Sequence, residues 1–210
     1  MLDYTTQSEW ANGFGSQQSP IDLRSKDADQ REMGLGFERR DSYQLTSEID
    51  DQTTIRVLGD GAASIFGRPF QFVQLHFHAP AEHLVDGQAQ PFEIHLVHQN
   101  RIGQLVVVAL LVKQGEADAT LQQIIDQFEA GQTKPVAIQL GDWLPERPSG
   151  FHYLGSLTTP PLTEGVEWLV VTKPNVTISE QQLAWFKTHF QPNNRTIQSL
   201  NGRTVEYYSK

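Results

Sequence analysis

Gln74-Leu75-His76-Phe77-His78, followed by Glu93-Ile94-His95-Leu96-Val97-His98, is the stretch that decides how the chain is to be read. In an extended strand alternate side chains share a face, so His76 and His78 project together while Leu75 and Phe77 take the other side. A second strand bearing His95 completes a set of three ring nitrogens, and that donor set suits zinc. A His-x-His pair by itself is commonly surface or satisfied core. Here the flanking apolar residues imply protein on both faces, and enclosed imidazoles need hydrogen-bond partners. Gln74 shares a face with His76, and Glu93 with His95. Both are positioned to accept the remaining ring N–H, which fixes the tautomer and raises ligand basicity.

Composition narrows the function classes. The chain has 210 residues and a formal net charge of -9, enough length for a sizeable core, and it reads as one domain over 1–210. An acidic chain without a basic cluster is repelled by phosphate, which argues against nucleic acid and anionic membrane as partners. The longest apolar run, 105–112, is eight residues, far short of the roughly 20 that span a bilayer, and reads as a strand buried on both faces. The start, Met1-Leu2-Asp3-Tyr4, has no basic-then-apolar leader. Cysteine is absent, which removes disulfides and thiolate chemistry and suits a reducing compartment.

Strands are expected at 53–58, 62–66, 70–78, 92–99, 105–113 and 166–172, punctuated by Gly and Pro. Asp60-Gly61, Asp86-Gly87 and Asn201-Gly202 read as turns. Two helices are expected. Segment 118–130 carries Leu121, Ile124, Ile125 and Phe128 on one stripe with Gly131 as a stop, and 179–190 opens on Ser179 with Leu183 and Phe186 at helical spacing. Further on, Gly155-Ser156-Leu157-Thr158-Thr159-Pro160-Pro161-Leu162 offers paired hydroxyls on a stretch that two prolines are expected to hold extended.

Taken in order, Ser16-Gln17-Gln18-Ser19-Pro20-Ile21-Asp22-Leu23, Gln74 to His83, Glu93 to Asn100, Gly155 to Leu162 and Asn193-Asn194-Arg195 resemble the α-class carbonic anhydrases, bacterial type, from end to end. The resemblance implies a mainly β fold: a central ten-stranded, largely antiparallel twisted sheet with short peripheral helices. It implies reversible hydration of carbon dioxide to bicarbonate by zinc-bound hydroxide in a cleft, with sulfonamide-sensitive activity. His76, His78 and His95 then correspond to the zinc ligands, with Gln74 and Glu93 behind them. Glu82 takes the proton of the Thr158 hydroxyl, so that Thr158 accepts from the hydroxide and orients it, and Thr159 meets bicarbonate. Val97, Val107, Leu157, Val166 and Trp168 correspond to an apolar wall for carbon dioxide. A pKa near 7 for the zinc-bound water is the known property of carbonic anhydrase itself.

Two departures from the family stand out. The fastest members carry a proton-shuttling histidine in the first third of the chain, whereas here no histidine precedes His76 and the corresponding position is Thr53, which cannot titrate near neutral pH. Proton export is therefore expected to be slow. Exported bacterial members often carry two cysteines where this chain has Gln17 and Leu162. Their loss favours the cytoplasm, with a secreted mature form as the alternative, and homodimerisation is compatible with it. His83 and His98 are expected to support the cleft, and His152 and His189 have no assigned role. Two rival readings are weaker. A cupin would share His76, His78 and Glu82 but then needs a glycine where Gln90 stands. A catalytically silent anhydrase-like binding module is disfavoured because every implied ligand and gate residue is present.

Overall fold

Leu105–Gln114 forms the doubly buried strand expected from its apolar run. Val106, Val108, Leu110 and Val112 enter one apolar core, while Val107, Ala109 and Leu111 enter a second on the opposite face. The structure, a computed structural model, describes residues 2–209. Met1 and Lys210, the two ends of the expected 1–210 domain, lie outside them.

Ten strands make up the continuous path of a large twisted sheet: β1 (Asp29–Arg31), β2 (Gln44–Asp50), β3 (Ile55–Asp60), β4 (Arg68–His78), β5 (Phe92–Gln99), β6 (Leu105–Gln114), β7 (Thr133–Gln139), β8 (Gly150–Ser156), β9 (Glu164–Val171) and β10 (Glu206–Tyr208). Their order in space is β7-β2-β3-β4-β5-β6-β9-β8-β10-β1. Neighbours are antiparallel except β6 with β9 and β10 with β1. Three short strands pair off this path, and Asp22–Leu23, Leu84–Val85 and Gln88–Ala89 form a separate small sheet.

The face each β4 side chain takes is set by a bulge. Phe70 and Phe72 lie in the main core, and so do Leu75 and Phe77. The alternation therefore changes parity at Val73, where the register with β5 shifts: Val97 pairs with Gln74, but His98 pairs with Phe72. The extra residue turns Gln74, His76 and His78 to the face opposite the main core. His98, on the Phe72 side of that shift, points into the main core and hydrogen-bonds Tyr43 at 2.9 Å. The expectation that it supports the cleft is thus corrected.

Both helices pack on the main core, away from the His76 face. Helix α1 (Ala119–Gln127) is capped by Asp118, whose side chain accepts from Leu121 N, and buries Leu121, Ile124 and Ile125. It ends before the expected 130 because Phe128 is already extended. Helix α2 (Glu180–His189) opens on a capping box between Ser179 and Gln182 and buries Leu183 and Phe186. The Thr158–Leu162 stretch is not extended as expected. It turns between antiparallel β8 and β9, with a cis Pro160–Pro161 bond, a positive φ at Leu162 and a Leu162 N–H donated to Thr159 O at 3.0 Å.

Candidate metal centre

His76 and His95 face each other across β4 and β5 in direct register, and His78 lies one alternation further along β4. Each ring has its outward nitrogen engaged. His76 Nδ1 is 3.0 Å from Gln74 Oε1, His78 Nδ1 donates to the Asn193 carbonyl at 2.8 Å, and His95 Nε2 donates to Glu93 Oε1 at 2.7 Å. A carbonyl and a carboxylate only accept, so the protons of His78 and His95 sit on the outer nitrogens and leave lone pairs at His78 Nε2 and His95 Nδ1. His76, bonded to an amide oxygen, leaves Nε2 free in the same way. Nε2 of His76 lies 3.2 Å from Nδ1 of His95, and His78 Nε2 is buried without any hydrogen-bond partner.

The three nitrogens lie within 4.8 Å of one another. Lone pairs facing across such distances repel one another unless a cation lies between them, and an orphaned buried nitrogen is an unmet demand. The residues therefore fit a small N-liganded metal ion. A second triplet, His83, Glu93 and His95, also brings ligand atoms together, but there the Glu93 carboxylate is already occupied. Its Oε1 accepts from both rings and its Oε2 from the Glu82 and His83 backbone N–H groups.

Electrostatics favour the neutral forms of His76 and His78. Burial, then the neighbouring His95 and His78 rings and the Arg56 charge, hold His76 well below the ordinary histidine range. Burial likewise lowers His78, against the opposing pull of Glu82. Burial works against the charge of Glu93, but His83 and His95 outweigh it and keep its carboxyl well below the usual range. Behind Glu93 a buried chain continues: His83 Nε2 is 2.7 Å from the Tyr153 hydroxyl, which donates to Ser19 Oγ at 2.8 Å. Gly155 is needed beside it, because a Cβ there would strike Ser19 Oγ and the Tyr153 ring.

Glu82 is buried, with Oε1 accepting the Arg195 backbone N–H at 2.8 Å and Oε2 unpartnered, 3.6 Å from His78 Nε2. Thr158 is also buried, but no hydrogen bond joins its hydroxyl to Glu82 among the described residues, since Glu82 Oε2 has no partner. Gln74, His76, His78, Thr53 and Thr159 line one open cavity of about 500 Å³. Val107, Val166 and Trp168 lie in the second apolar core and Val97 and Leu157 pack against it, beside His95, whose ring centroid is 5.0 Å from that of Trp168. Two supports escaped the reading of the sequence as individual residues. Asn193 acts through its main-chain carbonyl, which no side-chain pattern reveals, and Arg195 donates from its backbone to Glu82 and from its guanidinium to Gln18 and Ser19. The quoted Asn193-Asn194-Arg195 segment was the one signal for either.

The whole stretch from residue 5 to 209 matches the family model described as eukaryotic-type carbonic anhydrase. The chain belongs to the α-carbonic anhydrase family. The carbonic anhydrase of Pectobacterium carotovorum is 38% identical over 200 residues, covering 91% of this chain and 80% of that protein. The Nostoc carbonic anhydrase is 34% identical over 201 residues, covering 91% and 76%. Among solved structures, the α-carbonic anhydrase of Thermovibrio ammonificans, in complex with the inhibitor sulfanilamide, superposes with a TM-score of 0.85 at 35% identity, covering 91% of this chain and 87% of that one. The chain is thus a carbonic anhydrase, an enzyme whose substrates are carbon dioxide and bicarbonate.

Proposed function

We propose that residues 1–210 form one catalytic domain in which His76, His78 and His95 hold zinc for the reversible hydration of carbon dioxide. The observation that carries this reading is the set of three inward lone pairs, each made available by an outer acceptor: Gln74 Oε1, the Asn193 carbonyl and Glu93 Oε1. When bound, zinc supplies a strong nucleophile by acidifying water, to a pKa near 7 in carbonic anhydrase itself. Neutral imidazoles leave the ion's double charge unreduced, which thiolate or carboxylate ligands would not.

The protein's own groups do the rest. Gln74, Asn193 and Glu93 keep the rings in the tautomer that offers a lone pair. Glu82, with a buried and free Oε2, is the acceptor toward which the Thr158 hydroxyl turns its proton, leaving that hydroxyl as an acceptor for the attacking group. Thr159 lines the cavity where bicarbonate forms. Val97, Val107, Leu157, Val166 and Trp168 supply an apolar flank beside His95 for a nonpolar linear substrate.

Metal analysis with stopped-flow hydration tests the reading. About one equivalent of zinc and sulfonamide-sensitive hydration are expected of the wild type, with both reduced in His95→Ala. A metal-free wild type without hydration would remove the zinc reading. Proton export is the slow step in this account, because Thr53 lines the cavity without a titratable group. Turnover should climb steeply with imidazole-type buffer, and Thr53→His should flatten that climb. A wild-type rate indifferent to buffer would end this part of the proposal.

A further inference from the structure

Arg56 on β3 pairs directly with His76 of β4, so both side chains leave the sheet on the same face. Arg56 lines the same cavity as Gln74, His76, His78 and Thr159. Its Nε is buried and has no hydrogen-bond partner. Its ion pair with Asp51 Oδ2 is 3.6 Å long, beyond hydrogen-bonding distance, and both side chains are partly open to solvent. Nearby acceptors are already engaged: Gln74 Oε1 with His76, Asp50 Oδ1 with Gln52 N–H, and Asp50 Oδ2 with Gly131 N–H. A buried donor with no protein acceptor within hydrogen-bonding distance, on a side chain that lines an open cavity, is a group waiting for one.

We infer that Arg56 forms a subsite for small planar oxyanions, bicarbonate and simple carboxylates, on the cleft wall beside His76. A guanidinium offers parallel N–H donors whose spacing matches two oxygens of a carboxylate or bicarbonate, a geometry that an ammonium group cannot supply. In a chain of net charge -9 it is a local positive point in a cavity otherwise edged by Asp50 and Asp51, and it raises the local concentration of anions there. Asp51 is the internal competitor, held close enough to screen the guanidinium and too far to occupy Nε. The role assigned to bicarbonate rests on the hydration reading above; the anion site itself does not.

Two measurements separate the two claims. In ¹⁵N-labelled metal-free protein, sodium formate should move the Arg56 Nε–H resonance saturably while sodium chloride at equal ionic strength should not, the resonance being assigned by its loss in Arg56→Gln. In the metal-loaded enzyme the formate inhibition constant should rise about three- to tenfold in Arg56→Gln, the range of a partly solvated charge-assisted hydrogen bond. It should recover only in part in Arg56→Lys and fall in Asp51→Asn. The overall equilibrium fixes the ratio of the two kcat/KM values, so loss of a contact made only to bound bicarbonate raises KM and kcat of dehydration together. A formate-insensitive Nε–H resonance, or equal inhibition constants for wild type and Arg56→Gln, overturns the subsite. Failure of the hydration reading would show separately, as a wild type without activity whose Arg56 resonance still responds to formate.

Discussion

Glu48 is a carboxyl group in the wrong surroundings. It pairs with Val57 on one side and Lys134 on the other, and since Val57 lies in the main core, Glu48 points there too. Its Oε2 is buried with no partner. Burial, only partly offset by Lys134, pushes its pKa up from 4.5 to about 7. Between those values the folded chain holds a proton that the unfolded chain has released, so stability falls as pH rises through that window and the loss is complete above it. Glu48→Gln keeps the shape and removes the titration. It should leave stability near its wild-type value at about pH 5 and raise it by about 2 kcal/mol at about pH 8. Urea midpoints at the two pH values decide the matter, and a difference independent of pH refutes it. No sequence pattern announces such a residue, because its burial comes from the core face that β2 and β3 share only once the sheet has formed. The metal centre, by contrast, was legible one residue at a time: period-two spacing put Gln74, His76 and His78 on one face of β4 and Glu93 and His95 on one face of β5, and the hydrogen bonds follow that spacing. The third acceptor, the Asn193 carbonyl, belongs to a segment distant in sequence and escaped.

At the scale of elements, the bulge at Val73 decides which face β4 turns toward the metal centre. Phe70 and Phe72 alternate, Leu75 and Phe77 alternate, and the step between the pairs is three residues, so a strand without a bulge would bury either the phenylalanines or the histidines on the wrong face. Deleting Val73 should preserve metal binding, because Phe72 and Leu75 then stand two residues apart, and a regular β4 keeps Gln74, His76 and His78 off the main core. Val73 itself is partly exposed, so Val73→Thr should keep both fold and metal. Metal content of the two folded variants checks this, and a folded deletion variant without metal would contradict it. The spacing was there to be read, yet treating 70–78 as one uninterrupted strand concealed it. Helices announced themselves through their caps, Asp118 and Ser179, while β2, β7 and β8 did not. Gln44–Asp50 is largely polar, Thr133–Gln139 holds Pro135, and Gly150–Ser156 holds two glycines, compositions that local preference assigns to loops until neighbouring strands supply the ladder.

For the molecule as a whole, the ten-strand path and its antiparallel majority agree with the expected fold, while the pairing of distant segments came from family resemblance and not from local pattern. His152 illustrates the gap. Without a role in the sequence, it lies 2.9 Å from Glu167 and 2.8 Å from Glu206, with Arg68 on the first carboxylate and Arg31 on the second. Burial disfavours its charge, but the two carboxylates outweigh that and raise its pKa, and through its two hydrogen bonds the His152 ring fastens β8, β9 and β10 while Arg68 and Arg31 bring in β4 and β1. The placement of β10 carries one more consequence, for synthesis. On the sheet path β1 is bonded to β10 alone, so residues 29–31 have no seat until residues 206–208 have left the ribosome. The earliest strand of that path to be translated is therefore among the last to dock, and one margin of the nascent sheet stays open, within reach of chaperones, until its last strand has emerged.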